Sequence, residues 1–558
     1  MNRSALRVCI CGLGVVLSLG LNAPGRARKP EPGWRLESTD LRIEIDPVRT
    51  ELQGSARLAL GTEGDGEKRI DLNLNPELVV RSVSDGSGQA LEFDRIGAKL
   101  TIRPVGGAAA KGQPGHIVVS VQYTGSFSTR DPDVGFYQAL IGSGIAYGLP
   151  GRWYPVLAEG SSRSRGSIAY LVPKGWVVAS VGRLVGEHEV SSGRRYDFDI
   201  ASPVGFSFAA GPFQFARRNV DGLDAGVFLL GGAPGKPEFY LESCARIVGF
   251  FREYYGSFPH ESFSVVELPQ DLLGKAGGGA WESFTFFPSG VMPEGFFYSP
   301  AFAHELGHSL WSGVNSPEGP VVSEGLAQVA MGLYLEKAYG ERTFRALLKN
   351  GSPELLLTHS ARLYFRSLQS PPPIRGSALG LILPGEDLAL GIPAPGKRNT
   401  LHMLANSKGW FVYVMLRDLI GRPAFQAGWR NALVRFRGKA LTLDDLRREF
   451  EEASGRDLRW FFDQWFFRTG APEFLLSSEV EAQGERWKVS GRIRQVRDAY
   501  RVVAEIGFVK GALRETKVIE IAAPETDYSF VLPFKPDAVL FDPDYRILRW
   551  IEEFKAPD

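Results

Sequence analysis

The sequence predicts a multidomain α+β protein with an N-terminal antiparallel β-domain, a mainly helical domain and a small C-terminal β-sandwich. Its 558 residues exceed what a single hydrophobic core usually supports. Apolar residues alternate with period two near both ends of the chain, which favours strands, and recur at helical spacing between them. A hydrophobic content of 44% with 23% charged residues is typical of well-packed globular domains.

Residues 1–27 have the order of features of a secretory signal peptide. Arg3 and Arg7 precede an apolar run from Val8 to Leu21, and small residues follow it. The run is short for a membrane span, and an uncleaved anchor is the alternative. We therefore expect an exported protein, periplasmic or secreted, that is attached to a membrane only if this segment is retained. Outside the segment Cys244 is the only cysteine, and its apolar helical surroundings predict a packing role.

The N-terminal β-domain is expected over residues 30–215. Leu41–Ile45 and Ser55–Leu60 alternate with period two, and Ile117–Val121 is typical of a buried strand. Turns rich in glycine, aspartate and proline separate these segments. No catalytic residue types gather in this part of the sequence.

The helical domain is expected over residues 216–471 and the C-terminal β-sandwich over 472–558. A proline- and glycine-rich stretch, 370–396, predicts a long loop, and such loops more often line a site than lie idle. Strand patterns return after Pro472. The helices predicted from apolar spacing are Glu238–Tyr255, Ser323–Tyr339, Thr343–Lys349, Trp410–Ile420 and Leu443–Ala453.

The most informative segment contains two histidines, His304 and His308, with Glu305 beside the first. Positions i and i+4 share a helix face, so both imidazoles can reach one metal ion. The glutamate can take a proton from a metal-bound water. Ser299 as a cap and Pro300 at the first helical position predict where this helix begins.

A catalytic zinc needs a third protein ligand and one open position for water. Downstream, Glu318 and Glu324 are the candidates, and Glu324 is favoured because it opens a predicted helix while Glu318 lies in a Gly-Pro loop. The metzincin alternative requires a third histidine six residues after His308, where this chain has Val314.

The order of these motifs resembles the zinc aminopeptidases of the aminopeptidase N and leukotriene hydrolase type, which are gluzincin metallopeptidases. Gly279–Ser283, with the sequence Gly-Ala-Trp-Glu-Ser, is similar to the family's Gly-Ala-Met-Glu-Asn exopeptidase motif. The resemblance covers nearly all of the chain after the signal segment. The matching segments are, in order, Tyr255–Pro259, Gly279–Ser283, His304–His308, Ser323–Ala327, Lys408–Gly409, Met415–Gly421 and Phe461–Pro472.

The resemblance implies a thermolysin-like, mainly helical catalytic domain with one Zn²⁺ per chain. It implies that His304, His308 and Glu324 hold the metal and that Glu305 is the general base. Glu282 would bind the substrate's free α-ammonium, with Ala280 and Trp281 beside it in the substrate pocket. The implied partners are peptides with a free N-terminus.

Asn406 is the main departure from the family pattern. In the family a tyrosine two residues before the Lys-Gly pair donates a hydrogen bond to the oxyanion, and here that position is Asn406. Losing such a donor typically costs on the order of 10²–10³ in rate, so we expect activity to be reduced but retained. His402, Tyr364 and Tyr413 are the possible substitutes, although Tyr413 lies in a helical run that favours a core position.

Two smaller departures accompany it. The interval from His308 to Glu324 is shorter than in the family, and Trp281 and Ser283 replace the methionine and asparagine beside Glu282. The leading hypothesis is an exported zinc aminopeptidase. The alternatives are a catalytically weak or inactive homologue that binds peptides or proteins, and a zinc hydrolase acting on a non-peptide bond.

Other partner classes are not expected. The 64 basic and 63 acidic side chains nearly cancel, so no basic surface for nucleic acid is predicted. The glycine-rich stretch 274–279 lacks the Lys-Ser/Thr ending of a phosphate-binding loop, which argues against a nucleotide.

Overall fold

The computed structural model describes residues 33–62, 69–104, 115–131, 135–159, 161–274, 278–288, 292, 300–314, 316–355, 357, 359–369 and 386–555. The predicted signal segment 1–27, the predicted cap Ser299 and residues 370–385 of the predicted loop lie outside these ranges. The described residues form two compact units. One contains those up to Gly249 together with Phe258–Gly313, and the other contains Phe250–Ser257 and those from Val314 onward.

The first unit begins with a long series of strands. Their order in the largest sheet is β14-β15-β12-β1-β2-β7-β4, and two smaller sheets have the orders β13-β16-β10-β9-β8 and β11-β3-β6-β5. The strands are β1 (Arg35–Asp46), β2 (Glu51–Thr62), β3 (Ile70–Asn73), β4 (Val79–Asp85), β5 (Glu92–Ile96), β6 (Lys99–Arg103), β7 (Gly115–Gly125), β8 (Ser128–Arg130), β9 (Tyr137–Ile141), β10 (Ala146–Gly148), β11 (Val156–Leu157), β12 (Ser164–Val172), β13 (Val177–Ser180), β14 (Arg183–Val190), β15 (Gly193–Val204), β16 (Phe208–Gly211), β17 (Gln214–Val220) and β18 (Leu223–Leu229).

One pair in this region departs from the predicted antiparallel arrangement. Strands β1 and β12 pair in parallel, with Ser38 opposite Arg165, while the other neighbours in the largest sheet are antiparallel. Parallel neighbours need a long crossover connection, and the chain between Asp46 and Ser164 is ample for one. The prediction of a wholly antiparallel domain is therefore wrong for this pair.

The rest of the first unit mixes helices with a further sheet. Strands in this sheet follow the order β17-β18-β19-β21-β20, with parallel pairing of β19 to both β18 and β21. The sequence analysis did not predict the strand Ser262–Leu268, because every residue in it is buried and the alternation of apolar and polar residues is therefore absent. The elements are α1 (Pro237–Tyr255, in this unit up to Gly249), β19 (Ser262–Leu268), α2 (Gln270–Leu273), β20 (Gly279–Trp281), β21 (Phe284–Pro288) and α3 (Pro300–Leu310).

The second unit is helical up to residue 465. Every helix predicted there is present, with ends within a few residues of the prediction. The capping box of Thr442 and Asp445 explains why α10 begins where it does. The helices are α4 (Pro320–Tyr339), α5 (Glu341–Asn350), α6 (Ala361–Ser367), α7 (Arg398–Leu404), α8 (Trp410–Ile420), α9 (Arg422–Arg435), α10 (Leu443–Ser454) and α11 (Arg459–Trp465), and a π-helical turn, Ala405–Gly409, joins α7 to α8.

The chain ends in two three-stranded antiparallel sheets, ordered β22-β23-β26 and β25-β24-β27. The rings of Phe508 and Phe530 from the two sheets lie 5.9 Å apart, and Val489, Ile493 and Ile506 are fully buried. The strands are β22 (Phe474–Gln483), β23 (Arg486–Gln495), β24 (Val502–Lys510), β25 (Leu513–Ile521), β26 (Glu525–Leu532) and β27 (Ala538–Phe541).

The chain therefore has the predicted succession of β, mainly helical and β regions. The domain boundaries at 215/216 and 471/472 remain predictions. Among the described residues, no helix combines the length and the apolar character needed to cross a membrane.

Candidate active site

Helix α3 presents the two predicted histidine ligands to each other. The Nε2 atoms of His304 and His308 lie 3.1 Å apart, and their ring planes are perpendicular. Two ligands at 2.0–2.1 Å from a tetrahedral zinc would lie about 3.3 Å from each other. The observed spacing is therefore close to what a shared metal ion requires.

Glu324 on helix α4 completes a group of metal-ligand type. Its ligand oxygen and the ring nitrogens of His304 and His308 all lie within 4.8 Å of one another. Two imidazole nitrogens and one carboxylate are the donor set of many catalytic zinc sites, which leave a fourth position for water. The residues present thus fit a zinc ion.

The competing ligand candidate, Glu318, is engaged elsewhere. Its Oε2 accepts a hydrogen bond from the Ser316 hydroxyl at 2.9 Å, and its Oε1 accepts one from the backbone N–H of Leu443 at 3.3 Å. Because these contacts hold Glu318 at the start of helix α10, the geometry favours Glu324 as the third ligand.

Glu305, the predicted general base, lies on α3 directly after His304 and is 1% exposed. Helix α3 is buried at every position except His308, which is half-buried. A carboxylate that is shielded from bulk water beside a metal site is suited to accept a proton from a bound water.

The amide nitrogen of Asn406 is hydrogen-bonded to protein acceptors. Asn406 lies in the π-helical turn and is 2% exposed. Its Nδ2 donates to the backbone oxygen of His402 at 3.0 Å and to Oε2 of Glu324 at 3.4 Å. Both amide protons are thus directed at protein acceptors, one of them the predicted metal ligand.

His402 also lies beside Glu324, with its Nδ1 3.6 Å from Oε1 of the carboxylate. The two remaining oxyanion candidates have other contacts. The Tyr364 hydroxyl donates to Asp387 at 2.7 Å, and the Tyr413 hydroxyl donates to the backbone oxygen of Val321 at 3.3 Å. The expected core position of Tyr413 agrees with its complete burial.

The predicted substrate-binding segment lies at the edge strand β20, which packs against helix α3. Ala280 is buried and Trp281 stacks on Phe286 with ring centroids 5.4 Å apart. Glu282 follows with a backbone φ of 57°, a left-handed conformation that is uncommon outside glycine. Such strain often occurs at functional positions.

Arg163 is a functional candidate that the sequence analysis missed. Its Nε donates to Oε1 of Glu282 at 2.6 Å, and its Nη2 donates to the same oxygen and to the Ser312 hydroxyl oxygen at 3.0 Å. The Ser312 hydroxyl in turn donates to Oε2 of Glu282. Arg163 precedes Glu282 by 119 residues, and no sequence spacing signals such a pair.

The Glu282 carboxyl is buried, and its burial raises its pKa from the ordinary value. The positive charge of Arg163, its hydrogen bonds and a hydrogen bond from the backbone N–H of Gly205 act in the opposite direction. Arg163 immediately precedes strand β12, so the N-terminal β region supplies one contact to Glu282, although no catalytic residue types gather in its sequence.

Comparison with known structures finds a fold similar to those of an aminopeptidase and of a zinc metallopeptidase. The structure of aminopeptidase A from Legionella pneumophila in complex with aspartic acid matches with a TM-score of 0.68 and 15% sequence identity. That match covers 94% of this chain and 60% of the Legionella chain. An M1 zinc metallopeptidase from Deinococcus radiodurans, solved alone and as a mutant bound to a Tyr-Ser-Ala substrate, gives TM-scores of 0.60 at 18% and 19% identity, with 78% of this chain and 94% of that chain covered.

Sequence comparison finds a shorter match. Over 75 residues, the chain is 36% identical to aminopeptidase N of Caulobacter vibrioides, which is 13% of this chain and 9% of that protein. No protein-family profile matches the chain. The resemblance predicted from the motifs is confirmed by the structural neighbours, an aminopeptidase A and an M1 zinc metallopeptidase.

Proposed function

We propose that this protein is an exported zinc-dependent aminopeptidase that removes N-terminal residues from peptides. The observation that carries the proposal is the group formed by His304, His308 and Glu324, next to the buried carboxylate of Glu305. Similarity in fold to zinc aminopeptidases supports it, and the Deinococcus neighbour binds a Tyr-Ser-Ala substrate. Export rests on residues 1–27, and the proposed domains are those predicted from the sequence.

In this mechanism His304, His308 and Glu324 would hold one zinc ion. When bound, zinc supplies a Lewis acid that polarises the scissile carbonyl and lowers the pKa of a coordinated water. Glu305 accepts the proton of the attacking water and delivers it to the leaving amine. Burial of Glu305 keeps bulk water from competing for that proton.

Glu282 is the proposed binding group for the substrate's amino terminus. A carboxylate at this place can hold the α-ammonium, so that the peptide bond after the first residue lies at the metal site. Ala280 and Trp281 on strand β20 would contact the first side chain. The aromatic stack of Trp281 on Phe286 makes that wall rigid.

Asn406 is assigned a supporting role for the metal ligand. Asn406 donates a hydrogen bond to Glu324, a role that the sequence analysis, which considered Asn406 only as an oxyanion donor, did not predict. With the metal-ligand group complete and Asn406 engaged with it, the geometry favours an active enzyme over a silent binding module.

The test is zinc content measured together with hydrolysis of a panel of aminoacyl p-nitroanilides. We expect one zinc per chain and turnover of at least part of the panel. Glu305→Gln should retain zinc and lose at least about 10²-fold in kcat, because it removes the general base. Glu318→Gln is the matched control and should keep both zinc and turnover.

A protein with full zinc occupancy that hydrolyses no member of the panel would overturn the proposed function. Equal turnover of Glu305→Gln and the unaltered protein would remove Glu305 from the mechanism.

A further inference from the structure

The carboxylate proposed to bind the substrate's amino terminus is already fully engaged. Glu282 accepts two hydrogen bonds from Arg163, one from Ser312 and one from the backbone N–H of Gly205. An ionised carboxylate has about four acceptor positions in total. An incoming ammonium therefore finds few of them open.

The charge balance of Glu282 and Arg163 also disfavours binding of a substrate ammonium. Glu282 and Arg163 form a salt bridge in which the Glu282 side chain is 10% exposed and the Arg163 side chain 24% exposed. In such a shielded place charges interact more strongly than in water. The pair has no net charge, so it exerts little attraction on a substrate cation.

The backbone around the pair is shaped to admit the guanidinium. Gly313 has a φ of 83°, and a Cβ atom at this position would lie 1.9 Å from Nη1 of Arg163. Any other residue at 313 would collide with the arginine or force it aside. The ion pair is thus a built feature of this unit rather than a chance surface contact.

We infer that Arg163 is a specificity-determining residue: it occupies the carboxylate that would bind the amino terminus, so that the site accepts N-acylated peptide substrates nearly as well as substrates with a free amino group. This inference rests on the proposed peptidase function and changes one part of it: Glu282 lies where an amino terminus would bind, but its pairing with Arg163 prevents it from selecting for a free α-amino group. It names the substrate class, peptides whose first residue need not have a free α-amino group.

Removing the positive charge while keeping a hydrogen-bond donor tests the inference. Arg163→Gln should lower KM for substrates with a free amino group by about tenfold, since it frees the carboxylate to form a charge-assisted hydrogen bond with the substrate ammonium. The ratio of kcat/KM for aminoacyl p-nitroanilides over their N-acetyl forms should be below about 10 in the unaltered protein and rise about tenfold in Arg163→Gln, with kcat nearly unchanged.

Two further variants complete the experiment, one that keeps the positive charge at position 163 and one that serves as a control. Arg163→Lys keeps the positive charge and should leave the ratio low. Arg165→Gln is the matched control, because Arg165 lies two residues further on and is exposed. Zinc content and Tm, measured for every variant, identify a protein that has lost its fold.

A rise in KM for free-amino substrates in folded, zinc-loaded Arg163→Gln would overturn the inference, since Arg163 would then hold Glu282 in position for the amine. An unchanged ratio would overturn it as well. If the unaltered protein hydrolyses neither substrate class, the proposed function fails. Calorimetric binding of leucinamide against N-acetylleucinamide then tests the inference, and equal preference in both proteins refutes it.

Discussion

Replacing Asn406 by alanine tests whether this residue supports the metal ligand or stabilises the oxyanion. The substitution removes the Nδ2 contacts with Oε2 of Glu324 at 3.4 Å and with the backbone oxygen of His402 at 3.0 Å. Loss of a hydrogen bond to a zinc ligand typically costs 10- to 100-fold in metal affinity. Because 3.4 Å is long for such a bond, we expect the zinc Kd to rise about tenfold.

The same substitution also removes one of the hydrogen bonds to the buried His402 carbonyl, which still accepts from the backbone N–H of Ala405. This loss should cost about 0.5–1.5 kcal/mol in the free energy of unfolding. Ser407→Ala is the matched control for this loss. Ser407 is fully buried in the same turn, and its hydroxyl donates to the backbone oxygen of Met403 at 2.7 Å without contacting Glu324. The assay is competition with a zinc chelator, together with denaturant unfolding of both variants.

A supporting role requires the zinc Kd of Asn406→Ala to exceed that of Ser407→Ala while the two lose similar stability. An oxyanion donor would behave differently, with kcat falling on the order of 10²–10³ at unchanged zinc affinity. That second pattern, or equal zinc Kd values in the two variants, would refute the reasoning.

Three other substitutions or modifications have defined outcomes. Glu324→Gln should lose zinc under dialysis conditions in which the unaltered protein keeps it, as metal analysis would detect. Gly313→Ala should displace the Arg163 guanidinium and so raise the preference for free amino termini, and it should lower the free energy of unfolding by about 1–3 kcal/mol. Gly340→Ala is its control: Gly340 has a similar φ of 80° with nothing within 4 Å of the added Cβ, so this variant should show only the cost of the left-handed backbone. Cys244 is completely buried and burial raises the pKa of its thiol, so thiol reagents should label it only after unfolding.

Local patterns in the sequence were sufficient to predict the helices and to select the three residues of the candidate metal site. His304, His308 and Glu324 lie on two successive helices, and helical periodicity places the first two on one face. Each of these relationships spans few residues, so residue spacing contains most of the information.

The features that sequence reasoning missed depend on contacts between distant residues. Strand β19 has no alternating pattern because both of its faces are buried. Two contacts join residues that are more than a hundred positions apart in the sequence: Arg163 with Glu282, and strand β1 with its parallel neighbour β12. Neither contact leaves a pattern in the local sequence. The sequence analysis singled out Asn406 but not its contact with Glu324, since that contact depends on the π-helical turn, which lies against α4 and has no signal in the local sequence.

The π-helical turn also sets the rotational phase between two helices. The N–H of Trp410 donates to the oxygen of Ala405, five residues earlier, so this turn holds one residue more than a turn of α-helix. One residue corresponds to a rotation of about 100° around the helix axis. Deleting one residue here would swing His402 and Asn406 away from Glu324 while Tyr413, further along, kept its contact with Val321. The length of this one turn therefore couples the core packing of Tyr413 on one side to the contacts of Glu324, the predicted metal ligand, on the other.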